Sequence, residues 1–312
     1  MADTAKTKVT IIGCTGMLGS IVLDSLFNDG DFDIGATHRA SADKKSLVGA
    51  YPSVSFEVID AETASVEDIS NAIKGSKWVI NAAGIIKPYI HDDNAAEVER
   101  AILVNSLFPH RLGDAATKVG ANVIQIATDC VYSGQKGDYI ETDVHDALDV
   151  YGKSKSLGEA YFENIYHVRC SIIGPELKGH LSLLDWFLGN PQNADLNGFS
   201  NHQWNGITTL QFAKIARGII KANLSLPHAQ HIVPGNIISK ADLLKTFAKA
   251  FKRPDITIKA MEAPTVIDRT LTTNNDSLNR QIWQSAGYNT PPTIEQMVLE
   301  LAEYGSVKVA KK

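Results

Sequence analysis

The chain has 312 residues, 44% hydrophobic and 21% charged, the make-up of a folded soluble protein with one large domain or two smaller ones. Its 30 Lys and Arg stand against 35 Asp and Glu, a net charge of −5, which argues against a binder of nucleic acid or of membrane surfaces. Only local basic sites for an anionic ligand stay open. The cysteines Cys14, Cys130 and Cys170 form no C-x-x-C pair, and the polar start M-A-D-T-A-K-T-K leads into a strand. We therefore expect a cytoplasmic protein with no signal peptide, membrane span or metal site.

Residues 8–12 read as a short buried strand ending in G-C-T-G-M-L-G, and residues 20–27 as the helix that follows. A strand, a glycine turn and a helix form a dinucleotide-binding start. The glycines permit a tight turn and close approach of backbone to a pyrophosphate on the helix N-terminal amides. The spacing is G-x-x-G-x-x-G, at Gly13, Gly16 and Gly19, with Thr15, Met17 and Leu18 between them as further candidate contacts. A second strand, 32–37, ends in T-H-R. Arg39 stands where an NAD-selective site usually carries an acid, and no acid appears before Asp43. A guanidinium fork matches the oxygens of a 2′-phosphate, so NADP(H) is favoured while NAD(H) stays open.

The alternation of strands and helices continues. Strand 54–59 ends at Asp60, a candidate for the adenine edge, and Ser65-x-x-Asp68 resembles a capping box. Strand 78–80 closes with N-A-A-G, whose Ala82, Ala83 and Gly84 leave room for a cofactor at the sheet edge. A helical run over 95–105 follows, with Pro109 marking a break or a new start. Strands 123–127 and 167–173 complete the pattern, which predicts an α/β fold with a doubly wound parallel sheet. After Gly174 the rhythm changes: helices over 181–188, 210–222, 240–251 and 294–304 and a strand over 255–260 read as a smaller lobe above the sheet. We expect residues 1–174, rejoined by 207–238, to form the dinucleotide-binding domain, and 175–206 with 239–312 the substrate lobe.

D-V-Y-G-K-S-K-S-L-G-E, residues 149–159, carries the chemistry. Tyr151 and Lys155 lie four residues apart at the head of an expected helix in which Leu157, Ala160, Tyr161, Asn164 and Ile165 line one side. A free tyrosine titrates near pH 10, and acid–base work near neutrality asks that its ionisation be eased by about 4 kcal/mol. A cation about 4 Å away at an effective dielectric of ~20 supplies that amount. Two other Tyr-x-x-x-Lys pairs, Tyr132/Lys136 and Tyr304/Lys308, lack the helical context. Thr128, at the end of strand 123–127, completes a hydroxyl–phenol–ammonium triad. It is expected to bind a substrate carbonyl while Tyr151 moves a proton and Lys155 holds the nicotinamide ribose.

Four segments together, G-C-T-G-M-L-G, N-A-A-G, T-D-C-V-Y and Y-G-K-S-K-S-L-G-E, resemble the extended short-chain dehydrogenases/reductases, and most closely the dTDP-4-dehydrorhamnose reductase (RmlD-like) family. The resemblance covers nearly the whole chain. It implies a Rossmann-type sheet with a smaller C-terminal α/β lobe, Thr128, Tyr151 and Lys155 as the catalytic set, and Asn105 as the family's helix asparagine. The implied reaction is reduction by NADPH of a 4-keto group on a nucleotide-linked deoxysugar, for surface-polysaccharide precursors. Cys130 stands where the family often has an aromatic residue and is similar in this to GDP-fucose synthase, so a bifunctional epimerase/reductase with His180 as second partner is an alternative. The regulatory subunit of methionine adenosyltransferase also resembles this family, which leaves a non-catalytic NADP-binding role open. Lys87, Trp204 and Arg269 are candidates for the substrate pocket, Arg269 for a diphosphate. A nucleotide sugar is the implied partner, and a homodimer is open.

Overall fold

A computed structural model of the chain describes residues 6–305. In chain order its first half contains β1 (Lys8–Ile12), α1 (Met17–Asp29), β2 (Asp33–His38), α2 (Lys44–Ala50), β3 (Ser55–Val58), α3 (Val66–Ala72) and β4 (Trp78–Asn81). Then come α4 (Ala95–Ala101), α5 (Phe108–Val119), β5 (Asn122–Ala127), α6 (Val150–Leu157) and β6 (Ile165–Arg169). The second half adds β7 (Ile172–Ile173), α7 (Leu183–Leu188), β8 (Asp195–Phe199), β9 (His202–Trp204), β10 (Ile207–Thr208), α8 (Thr209–Ala222) and β11 (Ala229–His231). It closes with β12 (Ile238–Ser239), α9 (Lys240–Ala250), β13 (Thr257–Met261), β14 (Ile267–Asp268), α10 (Asp276–Ser285) and α11 (Ile294–Tyr304).

The main sheet is seven-stranded and parallel throughout, in the order β3-β2-β1-β4-β5-β6-β11. Successive strand residues point to opposite faces, and both faces are covered. Ile11, Ile80 and Ile124 join a core with Ile21 of α1 and Phe212 of α8. Ile12, Val79 and Val123 join a second core with Ile69 of α3 and Leu112 of α5. The fold is a Rossmann-type α/β sheet, and smaller sheets β12-β9-β14, β13-β8 and β10-β7 follow in the C-terminal half. Strand order reverses between β1 and β4, and in such sheets ligands bind outside the carboxyl ends of the strands at that reversal. No helix among the described residues is long and apolar enough to cross a membrane.

Two local expectations are corrected, and one of the two readings at Pro109 is decided. The helix from Tyr151 does not run on to Ile165: it stops at Leu157, and Gly158 tucks beneath the carbonyl of Asn105, leaving Ile165 to open β6. Pro109 marks a new start and not a break: residues 102–107 form a wide π-type turn that passes directly into α5, and Pro109 occupies its first turn. The expected strand 167–173 divides after Arg169, and Ile172–Ile173 pairs with β10 in another sheet. A short extended run does not reveal a change of partner strand.

Two histidines at the β6–β11 edge are deeply buried. The His167 ring donates from Nε2 to the carbonyl of Ala160 at 3.0 Å, and burial holds its pKa down to about 4. Burial, and then the Arg169 cation, also lowers that of His231. An unfolded histidine titrates near 6.5, so this stabilisation is complete above that pH and is lost as pH falls toward 4. His167 alone is expected to cost about 3 kcal/mol across this window. Urea unfolding at pH 7 and pH 4.5 checks it, and His167→Gln should flatten the difference.

Candidate active site

The glycine segment leaves β1 and turns at once. Gly13 has φ +79°, its amide donates to Thr37 Oγ1 at 3.1 Å, and the Gly16 amide returns to the Gly13 carbonyl at 3.0 Å. Gly16 then caps α1 with no side chain of its own, so the first amides of the helix face outward as an anion site. Gly19 lies behind this loop. A Cβ there would sit 2.2 Å from the Gly13 carbonyl oxygen, so its absence lets α1 pack directly on the turn.

The loop forms one wall of a cleft of about 440 Å³ over the carboxyl ends of β1 to β5. Thr15, Gly16, Met17 and Leu18 line it, as do Arg39, Asp60, Ala82, Ala83 and Gly84. Arg39 is exposed at the end of β2, with no ion pair to another described residue. His38 beside it is buried on the cleft wall. Its Nδ1 donates to the carbonyl of Arg39 at 2.8 Å, and its Nε2 has no partner. Buried polar atoms are rarely left so, and this one suits a ligand hydroxyl. Loop, free guanidinium and orphaned nitrogen fit an adenine dinucleotide.

Thr128, Tyr151 and Lys155 line the same cleft. Asp149 caps α6 by accepting from the Gly152 amide at 2.8 Å. At Gly152 a Cβ would meet the Cys130 carbonyl oxygen at 2.3 Å, so glycine lets α6 press against the segment that carries Thr128. Thr128 accepts from the Cys130 amide at 3.1 Å. Lys155 is buried, and its Nζ donates to the carbonyl of Ile126 at 3.0 Å. Burial brings its pKa down to about 8. Burial also dominates at Tyr151 and drives the phenol pKa far up, with the carboxylates Asp129 and Asp149 adding to it, while a Thr128 hydrogen bond pulls it down. The expectation that Lys155 makes Tyr151 acidic is thus corrected: desolvation comes first, the groups felt most strongly at the phenol do not include Lys155, and Tyr151 holds its proton at neutral pH.

The other expected residues sit around this centre. Asn105 does not line the cleft. Its side chain clamps both the amide and the carbonyl of Ile85, at 2.8 and 3.0 Å, and reaches Ser154 at 3.3 Å, tying the strand-end loop to α6. Lys87 is held by Asp149 at 2.7 Å, away from the cleft lining. Trp204 is a core residue, 4% exposed, with Nε1 donating to Ser171 Oγ at 2.9 Å, so it offers no face for stacking on a base. Arg269 donates from Nε to the Tyr132 carbonyl at 2.8 Å. Burial and Asp129 push the Cys130 thiol up to about 12, against Arg269 and Lys87, which makes it a poor base. His180 is on the surface with its ring against Asp185 at 3.2 Å, and neither it nor Cys130 lines the cleft, so the alternative Cys130–His180 pair finds no support here. Sequence reasoning missed Lys240. Its ammonium lies 5.2 Å over the Trp204 ring, close enough to Asp129 and Cys130 to feel both, and burial lowers its pKa to about 8. Its place at the first helical position after Ser239 gave no sign of this. Among the described residues no three His, Cys, Asp or Glu side chains are grouped to hold a metal.

The profile of the RmlD substrate binding domain matches residues 7–174. The dTDP-4-dehydrorhamnose reductase of Aggregatibacter actinomycetemcomitans is 31% identical over 156 residues, 49% of this chain and 45% of that protein. Methionine adenosyltransferase 2 subunit beta of Mus musculus is 26% identical over 160 residues, 50% of this chain and 43% of that protein. The chain therefore spans less than half the length of these curated relatives. In fold, the dTDP-4-dehydrorhamnose reductase of Bacillus anthracis str. Ames, solved in complex with NADP, superposes with a TM-score of 0.73 at 17% identity, covering 96% of this chain and 99% of that one. With more than half of its length matched by the profile, from the glycine loop through Tyr151 and Lys155 to Gly174, the chain belongs to the RmlD substrate binding domain family.

Proposed function

We propose that this protein uses NADPH to reduce the 4-keto group of a nucleotide-activated deoxysugar, a step toward surface-polysaccharide precursors. The observation that carries the reading is that Thr128, Tyr151 and Lys155 open onto the same cleft as the glycine loop. A nicotinamide dinucleotide held there by residues 13–19, Arg39 and Lys155 would supply hydride chemistry. Tyr151 keeps a proton on Oη, where burial stabilises the neutral phenol, and delivers it to the oxygen of the ketone as negative charge develops there. Thr128 orients that oxygen. The Lys155 ammonium, fixed on Ile126, offsets the phenolate left behind. Arg269 and Lys240, whose charges are felt at Cys130, favour a substrate with phosphate on this side.

Purified protein with NADPH and a panel of dTDP-, UDP-, GDP- and CDP-linked 4-keto sugars tests the reading by loss of reduced-cofactor absorbance. Turnover on at least one supports it, and none on any member, with the cofactor bound, defeats it. The likeness to methionine adenosyltransferase 2 subunit beta supports a second reading, a dinucleotide-binding regulatory subunit, for which that second outcome is the expected one. The choice of cofactor rests on Arg39. Arg39→Ala is expected to weaken NADPH tenfold to a hundredfold, the loss of about 1.5–3 kcal/mol of charge-assisted hydrogen bonding, and to leave NADH unchanged. Fluorescence titration of both cofactors checks this, and equal loss for the two contradicts it.

A further inference from the structure

We propose that Arg169 is a positioning residue for the reaction centre, a single guanidinium that holds the C-terminal end of α6, the loop that leads into the helix and the segment that follows Thr128. This builds on the reductase reading above for its kinetic consequence but not for its geometry. Arg169 ends β6 and is 1% exposed. Past the end of α6, Glu159 receives it in a fork, Nε to Oε1 at 3.1 Å and Nη2 to Oε2 at 2.5 Å. Before the start of α6, His145 accepts from Nη2 at 3.0 Å, and the same imidazole bonds through Nδ1 to Ser156 of the helix at 2.8 Å. Nη1 donates to Tyr132 Oη at 3.0 Å and to His231 Nε2 at 2.7 Å. Tyr132 ends the short turn that begins at Thr128, and His231 is the last residue of β11, the outer strand of the sheet.

All three guanidinium nitrogens are therefore spent on segments around the proposed reaction centre. A buried charge with one partner is costly, and an apolar replacement is often neutral or stabilising, but here a planar fork joins four segments at once. Lysine, a point donor on a flexible stem, cannot reproduce that set of angles. Arg169 acts through these neighbours, since it does not line the cleft itself.

The test uses the full chain with Arg169→Gln, Arg169→Lys and Glu159→Gln. In amide hydrogen exchange, residues 150–157 of Arg169→Gln are expected to exchange at least tenfold faster than in the wild type while β1 and β4 stay protected. Unchanged α6 exchange overturns the proposal. With a sugar nucleotide that the wild type turns over, kcat is expected to fall at least tenfold with the KM for NADPH within about twofold. Arg169→Lys should not restore it, and Glu159→Gln should reproduce the split. Wild-type kcat in Arg169→Gln, or full rescue by lysine, overturns the proposal. Where Arg169→Gln does not fold, Glu159→Gln, which releases only the far end of α6, carries both measurements. A wild type inactive on every sugar sinks the reductase reading instead, and the exchange experiment still decides the role of Arg169.

Discussion

Tyr151→Phe is expected to lower turnover by a factor of about 10² to 10⁴, the usual worth of a positioned general acid, with cofactor affinity nearly intact. The phenol sits against Thr128 in a cleft where burial favours its neutral form. A proton donor must hold its proton until charge appears on the acceptor, and a desolvated tyrosine does so. The ammonium of Lys155, anchored 3.0 Å from the Ile126 carbonyl, becomes important only once a phenolate forms. Phenylalanine keeps the ring and its packing and removes only the transferable proton. Steady-state kinetics beside a cofactor titration separates the two effects. A parallel loss of NADPH binding would mean that Tyr151 holds the ligand and does not serve the chemistry.

The second large effect concerns the glycine loop. Gly19→Ala would put a methyl group 2.2 Å from the Gly13 carbonyl oxygen and 2.8 Å from its carbon. Both are backbone atoms, so no rotamer relieves the clash and α1 must move off the turn. Overpacking of this kind costs about 1–3 kcal/mol of stability. It also moves the helix-end amides away from the pyrophosphate, and every 1.4 kcal/mol of misplaced binding is tenfold in affinity. We expect about a hundredfold weaker binding of NADPH and NADH alike, in contrast to Arg39→Ala, which separates them. Gly49→Ala in α2 is the control: nothing lies within 4 Å of the added carbon, so binding should be unaffected and stability unchanged or slightly higher. Calorimetry on the three variants decides it, and retention of wild-type affinity in Gly19→Ala would mean that the loop does not hold the pyrophosphate.

Local features were legible in the sequence and non-local ones were not. Gly13, Gly16 and Gly19 declare a tight turn between strand and helix wherever they occur in this order, and alternating strands and helices leave few topologies open. Ser65 and Asp68 form the full capping box that their spacing announces. Thr128, Tyr151 and Lys155 were readable as a set because one strand end and one helical turn present them. By contrast, the stop at Gly158 depends on the carbonyl of Asn105, more than fifty residues earlier, which no window over residues 151–165 contains. The π-type turn that brings Asn105 inward has no periodicity of its own. Residue type alone did not place Trp204 or Lys240: the indole is core, and the lysine is a partly buried cation that feels Asp129. Arg169 gave no signal, because a lone arginine at a strand end reads as a surface residue until His145, Glu159 and His231 are folded around it.

Transfer of label from the cofactor tests the central claim most directly. Incubated with NADPH carrying deuterium at the reactive carbon of its nicotinamide ring and with a nucleotide-linked 4-keto deoxysugar, the protein is predicted to yield a sugar with one deuterium at C4, read by mass spectrometry and proton NMR. Labelled cofactor recovered unchanged across the whole sugar panel, from protein shown to bind it, would contradict the assignment of the Thr128–Tyr151–Lys155 cleft as a reductase centre.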